Sequence, residues 1–229
     1  METTNIILHS LIYLVFFLSV WAAKNGKFNR LINDGGALTE NLLSLILFHL
    51  SGIFLLGYIP LFFIHSEVDK IIFSYRLPHS FFIFCYILIF VFLLFFSIRQ
   101  AKKDYLDRIE KSANHICFSI DLLTSYFAFR IFFLAVYELW FRGLLLFDCI
   151  SDFGLPAAVA INLVLYVLVH IFNGRKEMLA CIPFGLLVCA LSIVFNAVWP
   201  AILLHAGFSL FYEITFYKLH SNKIKTVSS

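Results

Sequence analysis

FFIFCYILIFVFLLFFSI, residues 81–98, runs for eighteen residues without a charge. A helix rising about 1.5 Å per residue needs roughly 20 residues to cross a hydrocarbon core about 30 Å thick. The phenylalanines follow one another instead of recurring at amphipathic spacing, so no face of this helix is suited to water. It predicts a lipid-embedded helix. Six further stretches read the same way, giving predicted spans at 6–23, 41–64, 81–98, 126–149, 155–172, 178–194 and 198–217. Several begin or bend at proline (Pro60, Pro156, Pro200), which is tolerated at a first turn or where neighbouring helices satisfy the freed carbonyl.

Composition agrees. The 229 residues are 62% hydrophobic and 14% charged, against about 45–50% and roughly 25% in soluble domains. The net charge of +3 is too small to suggest a nucleic-acid partner, so the basic residues report topology. Lys24, Lys27, Arg30, Arg99, Lys102, Lys103, Arg108, Lys111, Arg175, Lys176, Lys218, Lys223 and Lys225 all fall in one alternate set of connections and the tail, whereas the other set holds Lys70 and Arg76. The positive-inside rule then predicts an outside N-terminus and an inside C-terminus. Residues 6–23 lack a preceding basic residue and exceed the apolar centre of about 7–15 residues in a cleavable signal, which favours a retained helix. The five cysteines form no CxxC or Cys/His cluster and read as small core residues. The segment 99–117 is expected to be either an interfacial amphipathic helix or a solvated connector.

Ionisable side chains cost on the order of 2.5–3.5 kcal/mol each within a bilayer by insertion scales. The last four spans hold Arg130, Glu138, Arg142, His170, His205 and Glu213; the first three offer only His9 and His49. Chemistry is therefore expected in the C-terminal half. Glu138 and Arg142 share a helix face with the acid on the N-terminal side, the favoured order for an ion pair, and Gly143 allows close approach of a neighbour. The bland alternative is a self-neutralising pair that pins two helices. Arg130 is expected to partner Glu138 or to snorkel. Trp140 is expected to anchor a helix end at an interface. His170 follows Tyr166 by one turn, and His205 precedes Ser209 by one turn. Two histidines and a carboxylate on separate helices can activate water and stabilise an oxyanion, ligate a divalent metal or relay protons.

The order Tyr137-Glu138-Leu139-Trp140-Phe141-Arg142-Gly143, then Tyr166-Val167-Leu168-Val169-His170, then Trp199-Pro200 through His205-Ala206-Gly207-Phe208-Ser209 resembles the CPBP/Abi family of intramembrane proteases. Its motifs read Glu-Glu-xxx-Arg, Phe-xxx-His and His-xxx-Asn, and the resemblance covers roughly 126–217. It divides the chain into 1–118, three N-terminal transmembrane helices and an inside loop, and 119–229, a four-helix catalytic core with a short tail.

The family includes CAAX-processing endopeptidases and bacterial proteins linked to bacteriocin maturation and self-immunity. The resemblance implies an integral protein of the bacterial cytoplasmic membrane acting on a peptide or membrane-protein substrate. It implies Glu138 and His170 activating water, His205 and Ser209 stabilising the oxyanion, Arg142 holding Glu138, and no obligatory metal. Zinc on Glu138, His170 and His205 is the alternative.

Two positions depart from the family pattern: Tyr137 stands at the first motif glutamate and Ser209 at the asparagine. Either Glu138 takes over as base, about 100° around the helix from Tyr137, or Tyr137 contributes differently, or the protein binds peptides without cutting. A small transporter is a third class, disfavoured because no inverted repeat is visible. With straight spans, His170 lies near the inner face and Glu138 and His205 nearer mid-membrane. Their convergence requires tilt, a broken helix or a wet cavity.

Overall fold

The computed structural model describes residues 3–23, 29–32, 37–63, 71–72, 78–108 and 117–227. Lys24, Lys27, Lys70, Arg76 and Lys111, on which part of the orientation reading rests, lie outside the described residues. Among the described residues the protein consists of seven helical rods: α1 Thr3–Ala22, α2 Leu42–Phe63, α3 Ser80–Arg108, α4 Ile120–Phe153, α5 Leu155–Val169, α6 Arg175–Phe195 and α7 Trp199–Val227. They correspond one for one to the seven predicted spans, and the all-α, polytopic membrane architecture is as expected. Five are long and apolar enough to cross a membrane. The exceptions are informative: α5 is short, and α7 is interrupted by His205, Ser209 and Glu213.

Local sequence sets the rod ends. Asn41 caps α2 by accepting from the Ser44 N–H at 3.0 Å, and Ser119 caps α4 through the Leu122 N–H at 3.4 Å, each satisfying a donor the first turn leaves open. Gly154 (φ 76°) separates α4 from α5, Gly174 (φ 90°) opens α6, and Asn196 (φ 47°) closes it in the left-handed region. α3 runs beyond its predicted end as one continuous helix to Arg108, with Gln100 bonded to Asp104 one turn on at 3.0 Å. Part of the segment read as an interfacial helix or connector is thus the extension of a span.

Polarity is arranged for lipid. Leu43, Leu47, Phe54, Tyr58 and Phe62 on α2 and Phe81, Phe84, Leu88, Phe92 and Phe95 on α3 are exposed, while Glu138, Arg142, Asn162, His49 and Glu213 are buried. α4 is the central rod. Every residue from Val136 to Leu146 is buried, as befits a helix surrounded by others, with Glu138 and Arg142 turned inward. Trp140 is wholly enclosed there, correcting its reading as an interfacial anchor. The N-terminal rods brace the C-terminal ones: Tyr13 donates to the Leu165 carbonyl at 3.1 Å, Tyr86 to Pro200 at 3.2 Å and Ser97 to Phe208 at 2.6 Å.

Small residues set the distance between rods, because helices in lipid associate by close packing. A Cβ at Gly52 of α2 would lie 2.4 Å from the Phe133 ring of α4. That ring is wedged against Phe16, Phe48, His49 and Tyr137 and has no open side to retreat to. Gly52→Ala is therefore expected to lower stability by about 1–3 kcal/mol through overpacking, measurable as a fall in thermal midpoint in detergent.

Candidate active site

α4 changes winding at the site. Between Leu139 and Leu145 it is π-helical, flanked by α-helix on both sides. Such wider turns are sparse and frequently accompany functional positions. Here the wide turn begins directly after Glu138 and contains Arg142.

Glu138 lies at the α4–α7 contact, with Oε1 2.5 Å from His205 Nδ1. Its Oε2 lies 3.3 Å from Arg142 Nε, a charge contact without the alignment of a hydrogen bond. Both members of the Glu138–Arg142 pair are fully buried. Arg142 is held in turn by α5 and α6. Its Nη1 donates to Asn162 Oδ1 and lies 3.6 Å from Cys189 Sγ, and its guanidinium sits 4.4 Å from the centre of the Tyr166 ring. Asn162 donates back to the Phe141 carbonyl at 2.6 Å and accepts from the Cys189 thiol at 3.3 Å. The expected Glu138–Arg142 pair thus belongs to a four-helix polar knot. Gly143 permits close packing as expected, since a Cβ there would meet Ile71 at 2.8 Å and Val198 at 3.0 Å.

His170 is placed by a break in the chain. α5 stops at Val169, His170 takes φ −94° and ψ 1°, and a short 3-10 turn follows to Asn173. Its Nδ1 lies 2.8 Å from the Tyr166 carbonyl, and its ring lies 4.7 Å from the Tyr166 ring. A carbonyl can only accept, so this bond puts a proton on Nδ1, and in the neutral ring the Nε2 lone pair is available. Tyr137 lies between His205 and Tyr166, with its ring centre 5.9 Å from the first and 6.2 Å from the second. The α-helix therefore ends just before His170. Tyr137 and Glu138, though they leave α4 in different directions, both reach His205.

Three features differ from the sequence reading. The carboxylate of Glu138 is engaged by His205 and Arg142, and its polar contacts among the described residues do not include His170. Arg130 does not partner Glu138. It joins Glu213 at 3.2 Å, Ser209 at 3.0 Å and His49 at 3.2 Å in a second polar layer between α2, α4 and α7. The zinc set Glu138, His170 and His205 is not gathered: among the described residues no three His, Cys, Asp or Glu side chains are grouped to hold an ion. Glu138 is already neutralised by Arg142, and His170 turns one nitrogen onto its own helix.

Sequence reasoning missed Asn162, which carries no charge yet lies in an apolar span. An amide with no partner in hydrocarbon costs several kcal/mol, and that alone was signal enough. His9, one of the two ionisable groups noted in the first three spans, pairs across the bundle, with its Nε2 3.1 Å from Asp148 Oδ2.

Residues 119–211, which contain Glu138, His170, His205 and Ser209, match the family model described as type II CAAX prenyl endopeptidase Rce1-like. The resemblance read from the three motifs is borne out over that segment. No curated protein and no solved structure matches the chain.

Proposed function

We propose that the Rce1-like segment is the catalytic core of an intramembrane endopeptidase that hydrolyses a peptide bond in a membrane-associated, prenylated or leader-peptide substrate. The observation that carries this reading is the 2.5 Å contact between Glu138 and His205, backed by Arg142 and set in the buried centre of the bundle. Its support is the protease family matched by the same residues.

The geometry suggests a division of roles. With Nδ1–H given to the Tyr166 carbonyl, His170 Nε2 takes a proton from water as that water attacks the scissile carbonyl. A carboxylate 2.5 Å from His205 Nδ1 stabilises an imidazolium, so His205 Nε2–H donates to the forming oxyanion together with the Ser209 hydroxyl. His170 then returns its proton to the leaving amine. Glu138 acts here through His205, and Arg142 fixes Glu138. This replaces the role of joint base with His170 that the resemblance implied. Orientation follows the basic loops, with the N-terminus outside and the C-terminus inside.

A second reading, a peptide-binding or self-immunity protein without cleavage, is favoured by one observation. Tyr137 is buried, its hydroxyl has no hydrogen-bond partner among the described residues, and its ring lies between His205 and the Tyr166–His170 pair. The purified protein in nanodiscs should be offered prenylated and unprenylated membrane-tethered peptides, with products read by mass spectrometry. His170→Ala is expected to lower turnover on the order of 10²-fold with KM unchanged, the loss typical of a missing general base. Turnover indifferent to this change would remove His170 from the chemistry; wild-type protein that binds peptides without cutting them would establish the second reading.

A further inference from the structure

We propose that Arg130 is the positioning residue that aims the Ser209 hydroxyl at the oxyanion, a role that rests on the peptidase reading above. Ser209 follows His205 by one turn of α7, and Arg130 precedes Glu138 by two turns of α4, so the two polar layers share one helix–helix contact. Arg130 Nη2 donates to Ser209 Oγ at 3.0 Å. A serine oxygen has one proton to give and two lone pairs. With one lone pair occupied by a guanidinium, its own proton must point elsewhere, and its recorded acceptor is Glu213 Oε1 at the long distance of 3.5 Å.

That acceptor is also otherwise engaged. Glu213 Oε1 pairs with Arg130 at 3.2 Å, and Oε2 accepts from the Tyr126 hydroxyl at 2.8 Å. The Ser209 proton is held weakly, and a developing oxyanion beside His205 offers it a shorter, charge-assisted bond. Donation from a cation to Oγ also polarises the hydroxyl and makes it a better donor.

Holding an arginine within a membrane bundle is costly, and the neighbours of Arg130 offset that cost while fixing its direction. Glu213 supplies the counter-charge, and His49, fully buried on α2, lies with Nε2 3.2 Å from Arg130 Nη1. The His49 ring is itself held between Tyr126, at 5.6 Å, and Phe133, at 5.0 Å. A serine at this position reaches less far than a longer side chain would, so its orientation matters more.

The test is a double-mutant cycle on the full chain in nanodiscs, using the membrane-tethered peptide that the wild type cleaves. Ser209→Ala is expected to lower kcat by about 10²-fold with KM unchanged, as for a lost oxyanion donor. Removing Arg130 alone would strand Glu213, so the partner variant is the double change Arg130→Met with Glu213→Gln, which removes both charges together. Its expected effect is a fall in kcat of roughly tenfold that disappears when Ser209 is already alanine. Arg130→Lys, which keeps a cationic donor, is expected to retain most activity, and Arg130→Gln with Glu213→Gln serves in the cycle if the methionine variant does not fold.

Equal losses with and without Ser209, or a lower melting temperature at unchanged kcat, would make Arg130 a structural pin and overturn the proposal. Wild-type protein that cuts no peptide overturns the peptidase reading itself, and this inference falls with it.

Discussion

Glu138→Ala is expected to abolish cleavage and to lower stability by about 3–5 kcal/mol, because it leaves Arg142 charged and unpaired in the protein interior. Two effects are combined here, and they separate. Arg142 is fully buried, and its remaining partners are neutral: Asn162, Cys189 and the face of Tyr166. Replacing Glu138 and Arg142 together by methionine removes both charges at similar volume, which for buried pairs is often neutral or stabilising. The double variant should recover the thermal midpoint lost in Glu138→Ala. It should not recover turnover, because His205 would still lack the carboxylate that holds its Nδ1 proton. Recovery of both would mean that the pair only pins α4 to its neighbours, the bland alternative for a Glu-xxx-Arg in a membrane helix. Recovery of neither would mean that the methionines do not fit among α4, α5 and α6.

The seven rods were legible because lipid imposes a coarse rule: a span must be long and apolar. Residues 81–98 obey it without exception, and the helix observed there is mostly exposed to what would be hydrocarbon. The site was legible only as a list of costly side chains. Glu138 meets Arg142 and His205, whereas the polar partner of His170 is the Tyr166 carbonyl of its own helix. The pairing of Arg130 with Glu213 could not be read, because it depends on how α4 and α7 face each other and spacing along one helix says nothing of its neighbour. His49 is the clearer case. It comes from the N-terminal half, where no chemistry was expected, and it faces Arg130 because α2 packs along α4 through Gly52. The π-helical turn at Leu139–Leu145 had no signal in composition at all, since any apolar run is compatible with it.

The two polar layers show why the C-terminal rods depart from plain hydropathy. α5 ends early, which lets His170 turn at the end of its helix, and α7 carries His205, Ser209 and Glu213 at successive turns toward α4. Each acid in these layers has a guanidinium partner, Arg142 for Glu138 and Arg130 for Glu213. Neutral pairing reduces the cost of burial that a membrane imposes on each charge. In the proposed mechanism His170 is left as the group that exchanges a proton.

Tyr137→Glu is expected to raise turnover, by about 10²-fold at the low end of what a placed general base supplies, while lowering stability by about 3–5 kcal/mol. The stability loss follows from packing. The Tyr137 ring contacts Phe16, Phe133, Phe141, Tyr166 and His205, and a glutamate cannot fill that space. The gain follows from place. A carboxylate at 137 would stand between His205 and the Tyr166–His170 pair, where water admitted by the smaller side chain could be deprotonated. Tyr137→Phe is the control. The tyrosine hydroxyl is buried without a hydrogen-bond partner among the described residues, so its removal should leave turnover unchanged and stability equal or slightly higher. Activity lost in Tyr137→Phe would show that the phenol itself takes part in the reaction. Activity unmoved in Tyr137→Glu, in protein that still folds, would show that the gap between the two histidines is not where water is activated.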